Sequence, residues 1–395
     1  MQLPANHNTS IDSLLLKGSS SVFLSDWNAQ DESHGIERTL ISRALSEAES
    51  VADKYFFIDE FQEVKAWLSN VFASTSSCIT SADNFAVSSN GTATIFLVLY
   101  LLNKQNKLKV LLLTPIYFSY IKLLNDMSAS IEYMQVIHDG KLECGMDKIL
   151  DIIESSDINL IIINDPIFGA GISFGDNNYE SLADICKERN VTLLIDYVYG
   201  GMEWNGTPAI INNHLASMPF NNEKVIFVES ISKRIFLNGI KTSLVFAKPR
   251  LIKEFELASV YTIGTLTSPQ VSMLKQIYAP ENKESIMNTI RNNISVARSN
   301  YELLQALLLG TSLYVSDCNS GYFCLLYIPY TLFACENDPN SIAEYIVEKT
   351  NLLTIPHERY LYFCNSAYCC RINLSIPTNI LMKSINKIIA LCEAM

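Results

Sequence analysis

Between about Ser88 and Phe246, short apolar runs alternate with helix-length mixtures of polar and apolar residues. The runs are KVLLLTP ending at Pro115, INLIIIND ending at Asp165, VTLLIDY ending at Tyr197, EKVIFVES ending at Ser230 and SLVFAK ending at Lys248. They are rich in Ile, Val and Leu with little alternation, the pattern of parallel strands covered on both faces. Segments such as NYESLADICKERN, around Asp184, separate them. Repeated units of this kind predict a doubly wound α/β fold with a mostly parallel central sheet, whose ligands gather at the strand C-termini. After about Glu281 the pattern changes to a long helical periodicity through Asn300 to Leu309, followed by strand candidates near Tyr322–Tyr327 and Cys370–Leu374. The expectation is a large domain over 50–285 and a small α+β domain built from 1–49 and 286–395. A chain of 395 residues exceeds what one core usually organises.

Composition narrows the function classes. Charged residues make up 18% and the formal net charge is −12, so there is no basic footprint for nucleic acid. The first twenty residues lack a charged region followed by a long apolar stretch, and the longest apolar runs, such as IFLVLYLL from Ile95, are too short to span a bilayer. The expected location is cytoplasmic, with no membrane partner. Ten cysteines are scattered without a C-x-x-C pair, and Cys364, Cys369 and Cys370 lack zinc-ligand spacing, so buried free thiols are expected and no metal site. The five histidines, His7, His34, His138, His214 and His357, are dispersed and form no H-E-x-x-H. Cys392-Glu393-Ala394-Met395 resembles a prenylation box only formally, because Glu393 is not aliphatic and the segment from Ser384 reads as an amphipathic helix.

Three groups of polar residues fall in the loops after those strands. Ser88-Ser89-Asn90-Gly91-Thr92 enters an apolar helix, a turn that can present backbone N–H groups to an anion or serve as an ordinary N-cap. Asp196 ends a strand, with Tyr199 three residues on. A buried carboxylate there needs a cationic partner, such as a protonated pyridine nitrogen, unless it merely caps the next segment. Glu229-Ser230-Ile231-Ser232-Lys233 follows EKVIFV, with Lys241 eight residues beyond Lys233. An enclosed lysine with a lowered pKa is an amine nucleophile toward an aldehyde, whereas most lysines are simply solvated.

Taken together, these residues resemble the fold-type I pyridoxal-phosphate (PLP) enzymes, and among them the aspartate-aminotransferase-like class I/II aminotransferases. The likeness covers roughly residues 50 to 375 and rests on the S-x-S-K-x(8)-basic segment, D-x-x-Y and the S-N-G-T turn, in the family's order. It implies pyridoxal 5′-phosphate as cofactor, Lys233 as its Schiff-base lysine, Asp196 on the pyridine nitrogen and Tyr199 on the 3′-oxygen. It further implies a phosphate cup of Asn90, Gly91, Thr92, Ser230 and Lys241, the last standing where the family usually has arginine, with Ser232 also at the cofactor. Tyr117, in TPIYFSY, takes the place of the ring that stacks on the cofactor, and Tyr55 that of the tyrosine reaching a neighbouring subunit, which implies a homodimer. Arg371, on the apolar strand YCCRINL, resembles the arginine that clamps the substrate α-carboxylate.

One departure stands out. Asn164-Asp165-Pro166-Ile167-Phe168-Gly169-Ala170-Gly171 aligns with the family's N-N-P-x-N-P-T-G, placing Phe168 where an asparagine normally meets the 3′-oxygen, although another register would bring Asn164 or Asp165 to the cofactor. The implied function is transamination of an α-amino acid. The first alternative keeps PLP but changes the reaction to elimination, replacement, cyclisation or oxidation in specialised metabolism; the second is a non-catalytic binding protein on the same scaffold. No second arginine can be assigned to a distal carboxylate. The stretch VFLSDWNAQDESHG, with Trp27, Asp31 and Glu32, either folds over the pocket or is an inert loop.

Overall fold

A computed structural model describes residues 21–28, 36–53, 58–73, 81–206, 224–333 and 338–394. Its main sheet contains β1 (Phe85–Ser88), β2 (Lys109–Thr114), β3 (Ser130–Gln135), β4 (Leu160–Asn164), β5 (Thr192–Tyr197), β6 (Val225–Glu229) and β7 (Ser243–Phe246) in the spatial order β1-β7-β6-β5-β4-β2-β3. The five apolar runs of the sequence are β2, β4, β5, β6 and β7. From β6 to β3 neighbouring strands run parallel, while β7 runs antiparallel to both β6 and β1. The expectation that SLVFAK is a parallel strand is therefore corrected. All four residues of β7 are buried, and a strand covered on both faces carries the same apolar run in either direction.

Both faces of the sheet are core. Leu111, Leu113, Ile161, Ile163, Leu193 and Ile195 point into one cluster, and Val110, Leu112, Leu160, Ile162 and Leu194 into the other. The period of two is present, but both phases are apolar, which is why the sequence shows unbroken runs. Helix α1 (Gly91–Gln105), which follows β1, covers the second face with Pro249–Thr262.

A second, antiparallel sheet joins Tyr314–Val315, Phe323–Pro329 and Ala367–Asn373, flanked by helices Lys283–Leu308 and Thr378–Glu393. Cys392 is buried at the end of the last helix. The N-terminal strand Val22–Phe23 pairs in parallel with Leu352–Leu353, and the next residues are tied to the end of Ala367–Asn373: the Asn373 amide donates to the Leu24 carbonyl at 2.8 Å and the Asn373 side chain to the Asn28 carbonyl at 2.9 Å. This strap carries Trp27 to the C-terminal edge of β4 and β5. Helix Arg38–Glu49 packs on Ser268–Tyr278. Among the described residues the cysteines are free, no cluster of His, Cys, Asp and Glu could hold a metal, and no helix is long and apolar enough to cross a membrane.

Candidate active site

At the C-terminal ends of β4, β5 and β6 lies a cavity of about 380 Å³, the position that a mostly parallel sheet offers a ligand. Of the residues singled out in the sequence, Asn90, Gly91, Thr92, Tyr117, Asp196, Tyr199, Ser230, Ser232, Lys233 and Lys241 all line it, together with Trp27, Asn28, Asn164, Phe168 and Asn238. Tyr55, Asp31 and Glu32 lie outside the described residues.

One end of the cavity is suited to an anion. Asn90 caps α1, its side-chain oxygen accepting from the Ala93 amide at 2.9 Å, so the ordinary capping role is real. That bond leaves the amides of Gly91 and Thr92, at the positive end of the helix dipole, for an anion. At Gly91 a Cβ would stand 3.3 Å from Val198, so a side chain there would press into the cavity wall. Lys241 adds the charge at this end. Ser230 and Ser232 contribute less freely: the Ser230 hydroxyl donates to the Thr242 carbonyl at 2.6 Å, and the Ser232 oxygen accepts from the Thr242 amide at 3.3 Å.

Asp196 sits deeper. One oxygen accepts from the Asn164 side chain at 2.8 Å and the other from the Val198 amide at 3.2 Å. Burial nevertheless outweighs these bonds and that of Tyr120, and holds the pKa up at about 6. A carboxylate so desolvated gains from a cation brought by a ligand.

Lys233 occupies the short helix Ile231–Arg234 immediately after β6. Its amine donates to the Asn238 side-chain oxygen at 3.0 Å and stands 5.7 Å from the Tyr199 ring and 5.9 Å from the Trp27 ring. Burial first, then the charges of Lys241 and Arg371, bring its pKa down to about 8, within reach of a neutral nucleophile at physiological pH. Beneath it the buried Arg234 pairs with Glu229, and the Asn293 side chain donates to the Arg234 carbonyl at 2.8 Å, anchoring the helix that carries the lysine.

The pKa also predicts a pH dependence. Capture of an aldehyde by Lys233 should speed up as pH rises through about 8 and then level off, because only the neutral amine attacks. In Lys241→Gln the midpoint should move upward, since a neighbouring cation has been removed, and Lys241→Arg should bring it back. Stopped-flow absorbance of apoprotein mixed with PLP across pH checks this; an unmoved or lowered midpoint in Lys241→Gln contradicts it.

The loop after β4 brings residues from both registers to the cavity. Asn164 and Phe168 both line the cavity. Asn164 spans two partners, donating to Asp196 and accepting from the Tyr117 amide at 2.8 Å. Asp165 is turned away, accepting from the Phe174 amide at 2.9 Å. Phe168 faces Trp27 and Tyr117 with centroids at 5.9 and 5.7 Å.

Arg371 is fully buried and packs against these rings, beside the cavity rather than in its lining. Its guanidinium carbon lies 3.8 Å from the Trp27 ring centroid, 4.2 Å from Phe323 and 5.6 Å from Phe168. Nη2 donates to the Ser25 carbonyl, and the Ser25 hydroxyl donates to the Arg371 carbonyl at 2.6 Å. Among the described residues, Nε and Nη1 have no hydrogen-bond partner. A buried cation with idle donors is costly, and a planar carboxylate is the ligand that satisfies it.

Three residues were not singled out as contributors by the sequence reading: Asn238, which holds Lys233; Asn164 as the partner of Asp196; and His357. The buried His357 places Nε2 3.2 Å from the Phe168 carbonyl, and burial beside Arg371 depresses its pKa to about 3, keeping the ring neutral. Asn238-Gly239 carried only a turn signal.

The model of the aminotransferase class I and II family matches residues 41–387. Among characterised proteins, the aspartate aminotransferase of Sulfolobus acidocaldarius is 18% identical over 284 residues, 71% of this chain and 68% of its own. That of Sulfurisphaera tokodaii is 26% identical over 181 residues, 44% of each. Among solved structures, a double mutant of Thermus thermophilus aspartate aminotransferase superposes with a TM-score of 0.82 at 14% identity, covering 99% of this chain and 97% of its own. Escherichia coli YbdL, described as having a methionine aminotransferase function, gives a TM-score of 0.80 at 15% identity over 98% of each chain.

Proposed function

The chain belongs to the aminotransferase class I and II family, whose members are pyridoxal-phosphate-dependent enzymes, and from that premise we propose that this cavity transfers the amino group of an α-amino acid with Lys233 as the reacting lysine. The donor set fits the cofactor: a buried acid for a ring nitrogen, an amine within the same cavity, and a helix N-terminus with Lys241 for a phosphate. When bound, PLP supplies an aldehyde to the amine and a sink for the electrons of the substrate Cα–H bond. Asp196 keeps that sink protonated. Tyr199, whose hydroxyl is buried, is assigned to the 3′-oxygen, Asn90, Gly91, Thr92, Ser230 and Lys241 to the phosphate, and Ser232 to the cofactor-binding set. Tyr117 is assigned to the ring face.

Arg371 takes the substrate carboxylate on its free donors, which orients the Cα–H bond. With the cofactor bound, Lys233 Nζ would be the base placed to accept the Cα proton and to give it back. The observation that carries this reading is the convergence of Lys233, Asp196 and the α1 N-terminus on one cavity from three different strand ends. A division into a large unit, 50–285, and a small unit of 1–49 with 286–395 belongs to the same reading, supported by the two sheets. So does a homodimer, supported by Leu257, Val260 and Tyr261, which leave an exposed apolar face on Pro249–Thr262.

Phe168 favours one rival reading. Without a donor at that place, a reaction other than transfer, such as elimination or oxidation, would run without an amino acceptor. Incubating the loaded enzyme with single amino acids and no keto acid separates the two: transfer should yield about one keto acid per site and stop, resuming when a keto acid is added. Continued product formation without acceptor contradicts transfer.

A further inference from the structure

We infer that the substrate side chain is uncharged and apolar, aromatic or thioether in character, and that Trp27 is the residue that selects it. This inference rests on the proposed role of Arg371. The guanidinium that fixes the α-carboxylate lies against the rings of Trp27, Phe323 and Phe168. A substrate held there places its side chain within reach of Trp27, Phe168 and Tyr117, whose centroids lie 5.7 to 6.2 Å from one another. That wall offers contact area and ring edges, which favour aromatic groups and sulfur.

The charges in the described cavity are already committed. Its cations are Lys233, which joins the cofactor, and Lys241, at the phosphate end, while Arg371 beside the rings is taken by the α-carboxylate. Among the described residues no further cation lines the cavity to meet a second carboxylate, which would be desolvated there. A basic side chain fares no better, because the one acid among the described lining residues, Asp196, is bonded to Asn164 and reserved for the ring nitrogen. The Trp27 ring that could receive a cation already has the Arg371 guanidinium at 3.8 Å. Trp27 reaches this place through the strap along Ala367–Asn373, which also fixes Arg371 through Ser25. The N-terminal segment thus carries a specificity element to a cavity at the edge of the central sheet.

The test is single-turnover absorbance of the PLP-loaded enzyme with phenylalanine, methionine, alanine, aspartate and lysine, for the parent and Trp27→Ala. In the parent, phenylalanine or methionine should exceed aspartate and lysine by at least about a hundredfold in rate over affinity, a factor consistent with burial of an unpaired charge. In Trp27→Ala, the preference for phenylalanine or methionine over alanine should shrink by about tenfold. Using a ratio between substrates cancels any general loss from a loosened Arg371, and an unchanged cofactor band reports that the variant is folded. Faster conversion of aspartate or lysine in the parent, or an unchanged ratio in Trp27→Ala, overturns the inference while leaving transamination standing. Conversion of no amino acid at all overturns the proposed function itself.

Discussion

Lys233→Ala is expected to lower turnover by on the order of 10⁴-fold and to remove the visible band that PLP gives with the parent protein. Two losses compound. The covalent link to the aldehyde disappears, and so does the positioned amine that shuttles the substrate proton, a role typically worth ~10²–10⁴-fold by itself. The fold should survive, because among the described residues the amine makes one hydrogen bond, to Asn238, and burial already disfavours its charged form. Thermal unfolding of the apoprotein at pH 7 should therefore show no decrease in Tm, which distinguishes chemical loss from unfolding. A small amine added to the variant should recover part of the proton-transfer rate. Activity within tenfold of the parent contradicts the assignment of Lys233.

Asp196→Asn should disable the enzyme and stabilise its apoprotein at the same time. An amide cannot hold the ring nitrogen protonated, so the electron sink weakens, and a loss of about 10²–10³-fold in kcat is expected, by analogy with the removal of one preorganised electrostatic group. The stability effect follows from the sign of the pKa shift. Burial raises the folded-state value to about 6, above that of the unfolded chain. The folded apoprotein therefore binds the proton more tightly than the unfolded chain does. This group's contribution is most favourable below about pH 4 and is lost as pH rises through about 6. At pH 7 the ionised carboxylate costs about 3 kcal/mol, which the amide does not incur. Urea unfolding at pH 7 and pH 4 should show Asp196→Asn more stable than the parent at the first and nearly equal at the second. A variant that is less stable at pH 7 and retains full activity would mean that Asp196 is a structural cap.

Much of this site was legible because its parts are local. Strands such as LIIIN and VIFVE announce themselves as continuous apolar runs, and the polar residues that follow each run must then lie at one edge of the sheet. The edge strand SIEYMQ escaped notice because only Met134 is fully buried and its polar residues break the run. The direction of β7 was not readable, since full burial erases the difference between parallel and antiparallel neighbours. Non-local contacts were the least readable. Ser25 and Arg371 are 346 positions apart, and nothing in the apolar segment YCCRINL reveals that Trp27 covers the arginine. The register after β4 was ambiguous because the loop folds back: Gly169 and Gly171 have positive φ, and a Cβ on Gly169 would stand 2.5 Å from His357. That turn brings Asn164 and Phe168 to the same cavity, so neither alignment alone described it.

The most direct test of the Lys233 assignment needs no substrate. The PLP-loaded protein is reduced with borohydride, digested, and the modified peptide identified by mass spectrometry. The expected result is a pyridoxyl group on the peptide containing Ser232-Lys233-Arg234 and on no other; modification centred on Lys241 or any other lysine would contradict the assignment of Lys233.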